Sequence, residues 1–292
     1  MIRIEWDPLD SGTATLVDGV VRIRGEELCR DTLDMRWLGD GQLMTIGRDN
    51  VIRWWKEGLG ILRHVNRGVT RPEAVAIAAR GDRYAVALTG RIVVETVPPN
   101  AIFDVWIHEI DYTLGVSLAL SGDGRRLAIG YITNTTRGRG FMVYDVDSNK
   151  LVDRSFIPHA VDLEDKLRLE LDFEGKRLAQ GVPEPAKSLG VIRVDTGELY
   201  VREMDGEATA VALDRSGELV AYAYRRVPEG RRGRLRFDYL ERGVKGGVVV
   251  NVLDSQWLES ELPDVSAMAF SHDRRRLACL SGTGAIEIVP VP

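Results

Sequence analysis

One phrase recurs along this chain: an apolar–Ala–apolar triplet, a small turn carrying Asp or Gly, then a second apolar–Ala–apolar triplet. The clearest copy is Leu118-Ala119-Leu120, Ser121-Gly122-Asp123-Gly124, then Leu127-Ala128-Ile129. Met268-Ala269-Phe270 leads through Ser271-His272-Asp273 to Leu277-Ala278-Cys279. Val211-Ala212-Leu213 leads through Asp214-Arg215-Ser216-Gly217 to Val220-Ala221-Tyr222. A unit that repeats in this way must stack on its neighbours to bury a core. With the residue before each turn as anchor there are seven copies, at Trp6, Trp37, Ala78, Leu120, Leu171, Leu213 and Phe270. The spacings are 31, 41, 42, 51, 42 and 57 residues, a mean of 44. Four-stranded propeller blades repeat every ~40–45 residues.

Each copy reads as four short strands, A to D. In the fourth copy these are Val116–Leu120, Arg126–Tyr131, Phe141–Val146 and Lys150–Phe156. Turn-forming residues separate them, as at Asp145-Val146-Asp147-Ser148-Asn149. Short alternating strands at regular spacing argue for antiparallel all-β structure, and no stretch shows sustained 3.6-residue periodicity. Alanine suits the innermost strands, where converging blades leave least room. The expectation is an all-β fold, a single seven-bladed β-propeller over residues 1–292. A β-hairpin is expected as an insertion in the sixth blade, at about residues 225–246. Met1–Trp6 reads as strand A of the first copy and Ala285–Val289 as strand C of the last, and Pro290 and Pro292 discourage another strand. The last blade is therefore expected to have three strands, or the ring to close without a shared-strand clasp.

The run from Leu118 to Ala128, apolar–x–apolar–Ser–x–Asp–Gly–x–x–Leu–Ala, resembles the first half of a WD40-type repeat. The aromatic–Asp close of that repeat stands at Tyr144-Asp145, and Val194-Asp195 and Leu253-Asp254 keep the Asp only. The Gly-His dipeptide is missing, with Pro158-His159 nearest by position. The resemblance extends over nearly the whole chain as a divergent version, and it implies fold, not activity.

Net charge is −5 with 44% hydrophobic residues, which excludes general attraction to a polyanion and fits an ordinary globular chain. No run approaches the ~18 apolar residues of a membrane span, and the N-terminus lacks the apolar core of a signal peptide. No membrane association is expected, and the location expected is cytoplasmic. Six Asn and three Gln against 28% charged residues suit a thermophile. Cys29 and Cys279 have no metal or redox spacing. His64, His108, His159 and His272 fall in different copies without ligand spacing. Neither a G-x-S-x-G elbow nor a P-loop is present. The expectation is a non-enzyme without cofactor or metal. The alternative is an enzyme or metal-binding propeller with its site at the central channel, drawing on Asp162, Glu164, Asp205 or His159.

Charge is unevenly distributed. From Arg225 to Lys245 eight basic residues face three acidic ones, a net +5 over 21 residues. Leu235, Phe237 and Tyr239 alternate with Arg234, Arg236 and Asp238, and Pro228-Glu229-Gly230 makes a turn before them. The segment falls between strands B and C, so it shares an end of the propeller with the other B–C loops, which carry Arg137, Arg139 and Lys187. The D–A loops on that end are acidic nearer the axis, with Asp162, Glu164, Asp165, Asp205, Glu207 and Asp264. Such polarity suits oriented docking. The expected partner is a protein or ribonucleoprotein complex, with nucleic acid as a further possibility. The candidate contacts are Arg137, Arg139, Arg225, Arg226, Arg231, Arg232, Arg234, Arg236, Phe237 and Tyr239.

Overall fold

The computed structural model describes residues 2–56, 60–66, 72–88, 90–97, 100–106, 112–133, 138–157, 168–182, 188–203, 207–225, 246–252, 255–260 and 265–291. Among them every regular element is a strand, and consecutive strands pair antiparallel into sheets that follow one another in chain order. The first sheet holds β1 (Ile2–Trp6), β2 (Thr13–Val17), β3 (Val20–Ile23) and β4 (Glu26–Cys29). The second holds β5 (Thr32–Trp37), β6 (Leu43–Gly47), β7 (Val51–Lys56) and β8 (Gly60–Asn66). The third holds β9 (Ala74–Ile77), β10 (Arg83–Leu88), β11 (Arg91–Thr96) and β12 (Ala101–Trp106). The fourth holds β13 (Tyr112–Leu120), β14 (Arg126–Thr133), β15 (Arg139–Asp145) and β16 (Lys150–Ile157). The fifth holds β17 (Arg168–Leu171), β18 (Arg177–Val182), β19 (Ser188–Arg193) and β20 (Glu198–Glu203). The sixth holds β21 (Glu207–Leu213), β22 (Leu219–Arg225), β23 (Gly246–Val252) and β24 (Ser255–Ser260). The last has three strands among the described residues, β25 (Val265–Phe270), β26 (Arg276–Ser281) and β27 (Ile286–Pro290).

The core lies between sheets. A separate apolar cluster fills each interface from the first and second sheets onward. Another joins the last sheet to the first through Ile4, Trp6, Ala267, Ala278 and Leu280. First strands pack on first strands around the ring, and β25 packs back on β1. The arrangement is an all-β propeller. Its inner positions are small: Ala85, Ala128, Ala179, Ala221 and Ala278 on the second strands are fully buried. Ala119 and Ala212 are buried on first strands, whereas Ala269 is only partly buried.

One turn joins first to second strand in every sheet. The fourth residue after the first strand donates its N–H to the carbonyl three residues back, as Gly124 does to Ser121 at 2.9 Å and Asp10 to Asp7 at 3.0 Å. That residue has positive φ in each case: Asp10, Gly41, Gly81, Gly124, Gly175, Gly217 and Arg274. Glycine adopts this conformation without a Cβ clash. At Gly124 a Cβ would also meet Arg83 Cδ at 2.7 Å, because the preceding sheet reaches across the turn. The geometry places the third anchor at Ile77. The sequence reading at Ala78 is one residue late, since the uniform run Ala76-Ile77-Ala78-Ala79 carries no phase of its own.

The last sheet meets the first through the same device. Arg83 donates to the Gly124 carbonyl of the next sheet at 3.2 Å, Arg177 to that of Gly217, and Arg276 to that of Asp10 at 3.0 Å. Here Asp10, in place of glycine, adds a carboxylate. Its Oδ1 accepts the His272 N–H at 2.8 Å and its Oδ2 accepts the Asp273 N–H at 3.0 Å. The Trp6 indole donates to the Ala269 carbonyl at 2.9 Å, and the Arg276 guanidinium lies 4.6 Å from the Trp6 ring centroid. The two ends of the described chain are thus tied by side chains and packing, with no strand exchanged between their sheets.

Candidate functional site

The axial channel is a cavity of about 1030 Å³ lined by residues of the first strand of every sheet. Three of those strands carry charge where others carry alanine. Arg3 and Glu5 lie on β1, Asp34 and Arg36 on β5, and Arg168 and Glu170 on β17, against Ala74 and Ala76, Ala210 and Ala212, or Ala267 and Ala269 elsewhere. Alternation puts both members of each pair on one face of the strand.

The charges interlock. Arg3 Nε donates to Glu5 Oε1 at 2.8 Å, and its Nη1 to Asp34 Oδ1 at 2.9 Å. Arg36 Nη1 donates to Glu5 Oε1 at 3.0 Å and reaches Glu170 Oε1 at 3.7 Å. Sheets one, two and five are thereby braced across the axis. Asp34 is fully buried, and Oδ2 has no hydrogen-bond donor among the described residues. Burial pushes its carboxyl up, against the opposing pull of Arg3 and the Met35 N–H. Glu170 keeps 29% of its side chain open to the channel, yet desolvation raises its carboxyl too, against Arg36 and Arg3. Burial works to lower the Arg3 guanidinium, but Asp34, Glu5 and Glu170 outweigh it and hold the cation more tightly than usual. Arg3 and Arg36 are each committed to carboxylates, so the cluster works as a cross-brace. Among the described residues no three His, Cys, Asp or Glu side chains are placed to hold a metal ion.

The expected docking residues are distributed differently. β22 ends at Arg225 and β23 begins at Gly246, so the basic segment does connect a second strand to a third. Arg137, Arg226, Arg231, Arg232, Arg234, Arg236, Phe237 and Tyr239 lie outside the described residues. Arg225 is described as part of β22 by its backbone alone. Arg139 departs from expectation: it opens β15 and is only 1% exposed, so it is a buried side chain and not a surface contact. Its placement follows from register, since Arg139 pairs with Ile132 and Ile157 within the sheet rather than sitting in the loop. His159, Asp162, Glu164, Asp165, Asp205 and Asp264 also lie outside the described residues, and Glu207 is described by backbone only. The axial charge that is described comes from strands, not from those loops. Its signal was present in the sequence as Arg3-x-Glu5, Asp34-x-Arg36 and Arg168-x-Glu170.

Many solved structures share this fold, two of them as follows. One is a chain titled Kuenenia stuttgartiensis Hydrazine Synthase, 15% identical, with a TM-score of 0.67 over 99% of this chain and 95% of that one. The other belongs to a Crystal Structure of Mitotic Checkpoint Complex, 14% identical, with a TM-score of 0.67 over 100% of this chain and 86% of that one. The likeness shows a β-propeller fold. No protein-family model matches the chain, and no curated protein matches it by sequence. At these identities the likeness concerns fold alone, and the two structures come from quite different settings. Among the described residues, no helix is long and apolar enough to cross a membrane.

Proposed function

We propose that this chain is a seven-bladed, non-catalytic interaction platform. It docks a protein or ribonucleoprotein partner through the end of the propeller where second-to-third strand connections emerge. The observation that carries this reading is the length of one connection. In the other sheets, two to five residues join the second strand to the third; in the sixth sheet twenty residues do. Connections of that length in a compact domain are uncommon and often functional.

Its charge supports the same reading. The segment from Arg225 to Lys245 carries +5 on a chain of net −5, so it presents a local positive field on an otherwise acidic body. Arg231, Arg232, Arg234 and Arg236 supply planar forks suited to carboxylates or phosphates. Phe237 and Tyr239 add flat apolar surface between them. The chain from the mitotic checkpoint complex is an instance of this fold within a protein assembly. The test is charge reversal of Arg231, Arg232, Arg234 and Arg236 to Glu, followed by capture from native lysate with and without nuclease. The reading expects loss of the partner with an unchanged thermal midpoint. A phosphate-bearing partner further gives a log–log salt slope of about −0.7 to −0.9 per contact. Retention of the same partner at the same salt by the reversed protein would refute the reading.

A further inference from the structure

The first strands align in two charged levels along the axis. One residue before the end of each strand, Glu5, Arg36 and Glu170 stand in sheets one, two and five, and alanine stands in the other four. Two residues earlier stand Arg3, Asp34 and Arg168, with Ser117 in the fourth sheet and alanine in the rest. Register confirms the alignment, because Glu5, Ala119 and Glu170 each pair with the alanine of their second strand. The first level therefore holds two carboxylates and one guanidinium, and the second holds two guanidinium groups and one carboxylate. The levels lie about 7 Å apart, the rise of two residues in a strand.

Both excess charges fall on β17. Arg3, Glu5, Asp34 and Arg36 bond to one another at 2.8–3.0 Å. Glu170 is left with Arg36 at 3.7 Å, too far for a hydrogen bond, and no donor among the described residues reaches it. Its side chain stays 29% open to the channel, and desolvation raises its carboxyl. The fully buried Asp34 Oδ2, also without a donor among the described residues, belongs to a carboxylate whose charge acts on Glu170. The network is thus one cation short at Glu170. Arg168 is exposed in the same cavity and makes no ion pair among the described residues. Elsewhere the wall is small and apolar, with Ala74, Ala212 and Ala269. At about 1030 Å³ the cavity has room for a small molecule beside these charges.

We propose that the axial cavity binds a small zwitterion, with its ammonium group on Glu170, its carboxylate on Arg168 and its carbon chain against the alanines. A simple cation would meet the repulsion of Arg168, and a simple anion that of Glu170. Only a molecule carrying both charges satisfies both levels, and charge-assisted bonds at its two ends fix its direction. The spacing of the levels selects the class. An ω-amino acid, whose charges are held apart by a short chain, spans from one to the other; the adjacent charges of an α-amino acid do not. The site lies on the axis and is independent of the basic segment of the sixth sheet.

The test is titration calorimetry of the full chain with γ-aminobutyrate. Butylamine and butyrate serve as analogues that keep one charge each, and α-aminobutyrate as the isomer with adjacent charges. γ-Aminobutyrate should bind, and each of the other three should bind about tenfold more weakly or worse. Arg168→Gln should weaken γ-aminobutyrate by about tenfold and leave butylamine no weaker. Glu170→Gln should weaken γ-aminobutyrate to the same degree and leave butyrate no weaker. Arg168 is exposed, so its variant keeps the fold; if Glu170→Gln loosens the brace, the analogues and Arg168→Gln still decide. Absence of γ-aminobutyrate binding up to about 10 mM would overturn the proposal. So would butylamine or α-aminobutyrate binding as tightly as γ-aminobutyrate, or an unchanged affinity in Arg168→Gln.

Discussion

Replacing Asp10 tests how the ring is held shut. Asp10 stands at the turn position that is glycine in five other sheets, with φ of 56°. Its carboxylate, 11% exposed, accepts two main-chain N–H groups from the last sheet, at 2.8 and 3.0 Å. Hydrogen bonds to a charged group contribute about 1.5–3 kcal/mol each, and these lie at the lower end because the turn is near solvent. Asp10→Gly keeps the turn conformation and removes the carboxylate, so a loss of about 2–3 kcal/mol is expected. Asp10→Ala removes the same bonds and adds about 1 kcal/mol for a Cβ in the left-handed region. At about 2–4 °C per kcal/mol for a large domain, the midpoint should fall by roughly 4–12 °C for glycine and roughly 6–16 °C for alanine. Calorimetry of the two variants measures this. If Asp10→Gly melts at or above the parent temperature, the carboxylate does not hold the first and last sheets together.

Two further outcomes follow from burial. Asp172 is 3% exposed, and burial pushes its carboxyl up to about 6 despite main-chain N–H donors including Lys176 at 2.7 Å. The folded value lies above the unfolded one, so its contribution to stability is complete below about pH 4 and is lost as pH rises through about 6. Asp172→Asn should therefore stabilise by about 2–3 kcal/mol at pH 7.5 and little at pH 4, read from urea midpoints at both; a larger gain at the lower pH would contradict this. Phe103 is 2% exposed and meets Tyr144 edge-on at 5.4 Å, fastening the third sheet to the fourth. Phe103→Ala should cost about 3–5 kcal/mol, and a loss under about 1 kcal/mol in chemical denaturation would mean that fourth strands do not lock neighbouring sheets.

The sequence was most informative where structure is local. Ser121-Gly122-Asp123-Gly124 sits in the predicted turn because Gly124 needs positive φ and the Ser121 hydroxyl donates to Asp123 at 2.7 Å and accepts the Arg126 N–H at 3.0 Å. The strands of the fourth copy begin and end within a few residues of their predicted bounds. What was not legible depends on closure in space. Asp10 and His272 are 262 residues apart, and nothing local marks them as partners. Arg3, Glu5, Arg36 and Glu170 read singly as solvated strand charges, and only convergence of first strands on one axis brings them within bonding distance. Arg139 misled for the opposite reason: a basic residue near a glycine-rich loop looks exposed, whereas it opens β15, pairs with Ile132 and Ile157 and is buried there.

The claim that one end of the propeller is the docking surface is tested most directly by hydrogen-exchange footprinting of the complex with its captured partner. The account predicts slowed exchange in residues 134–138, 183–187 and 226–245, which follow second strands, and unchanged exchange at the turns of Asp10, Gly124 and Gly217 on the opposite end. Protection confined to those turns, with residues 226–245 exchanging as in the free protein, would contradict it.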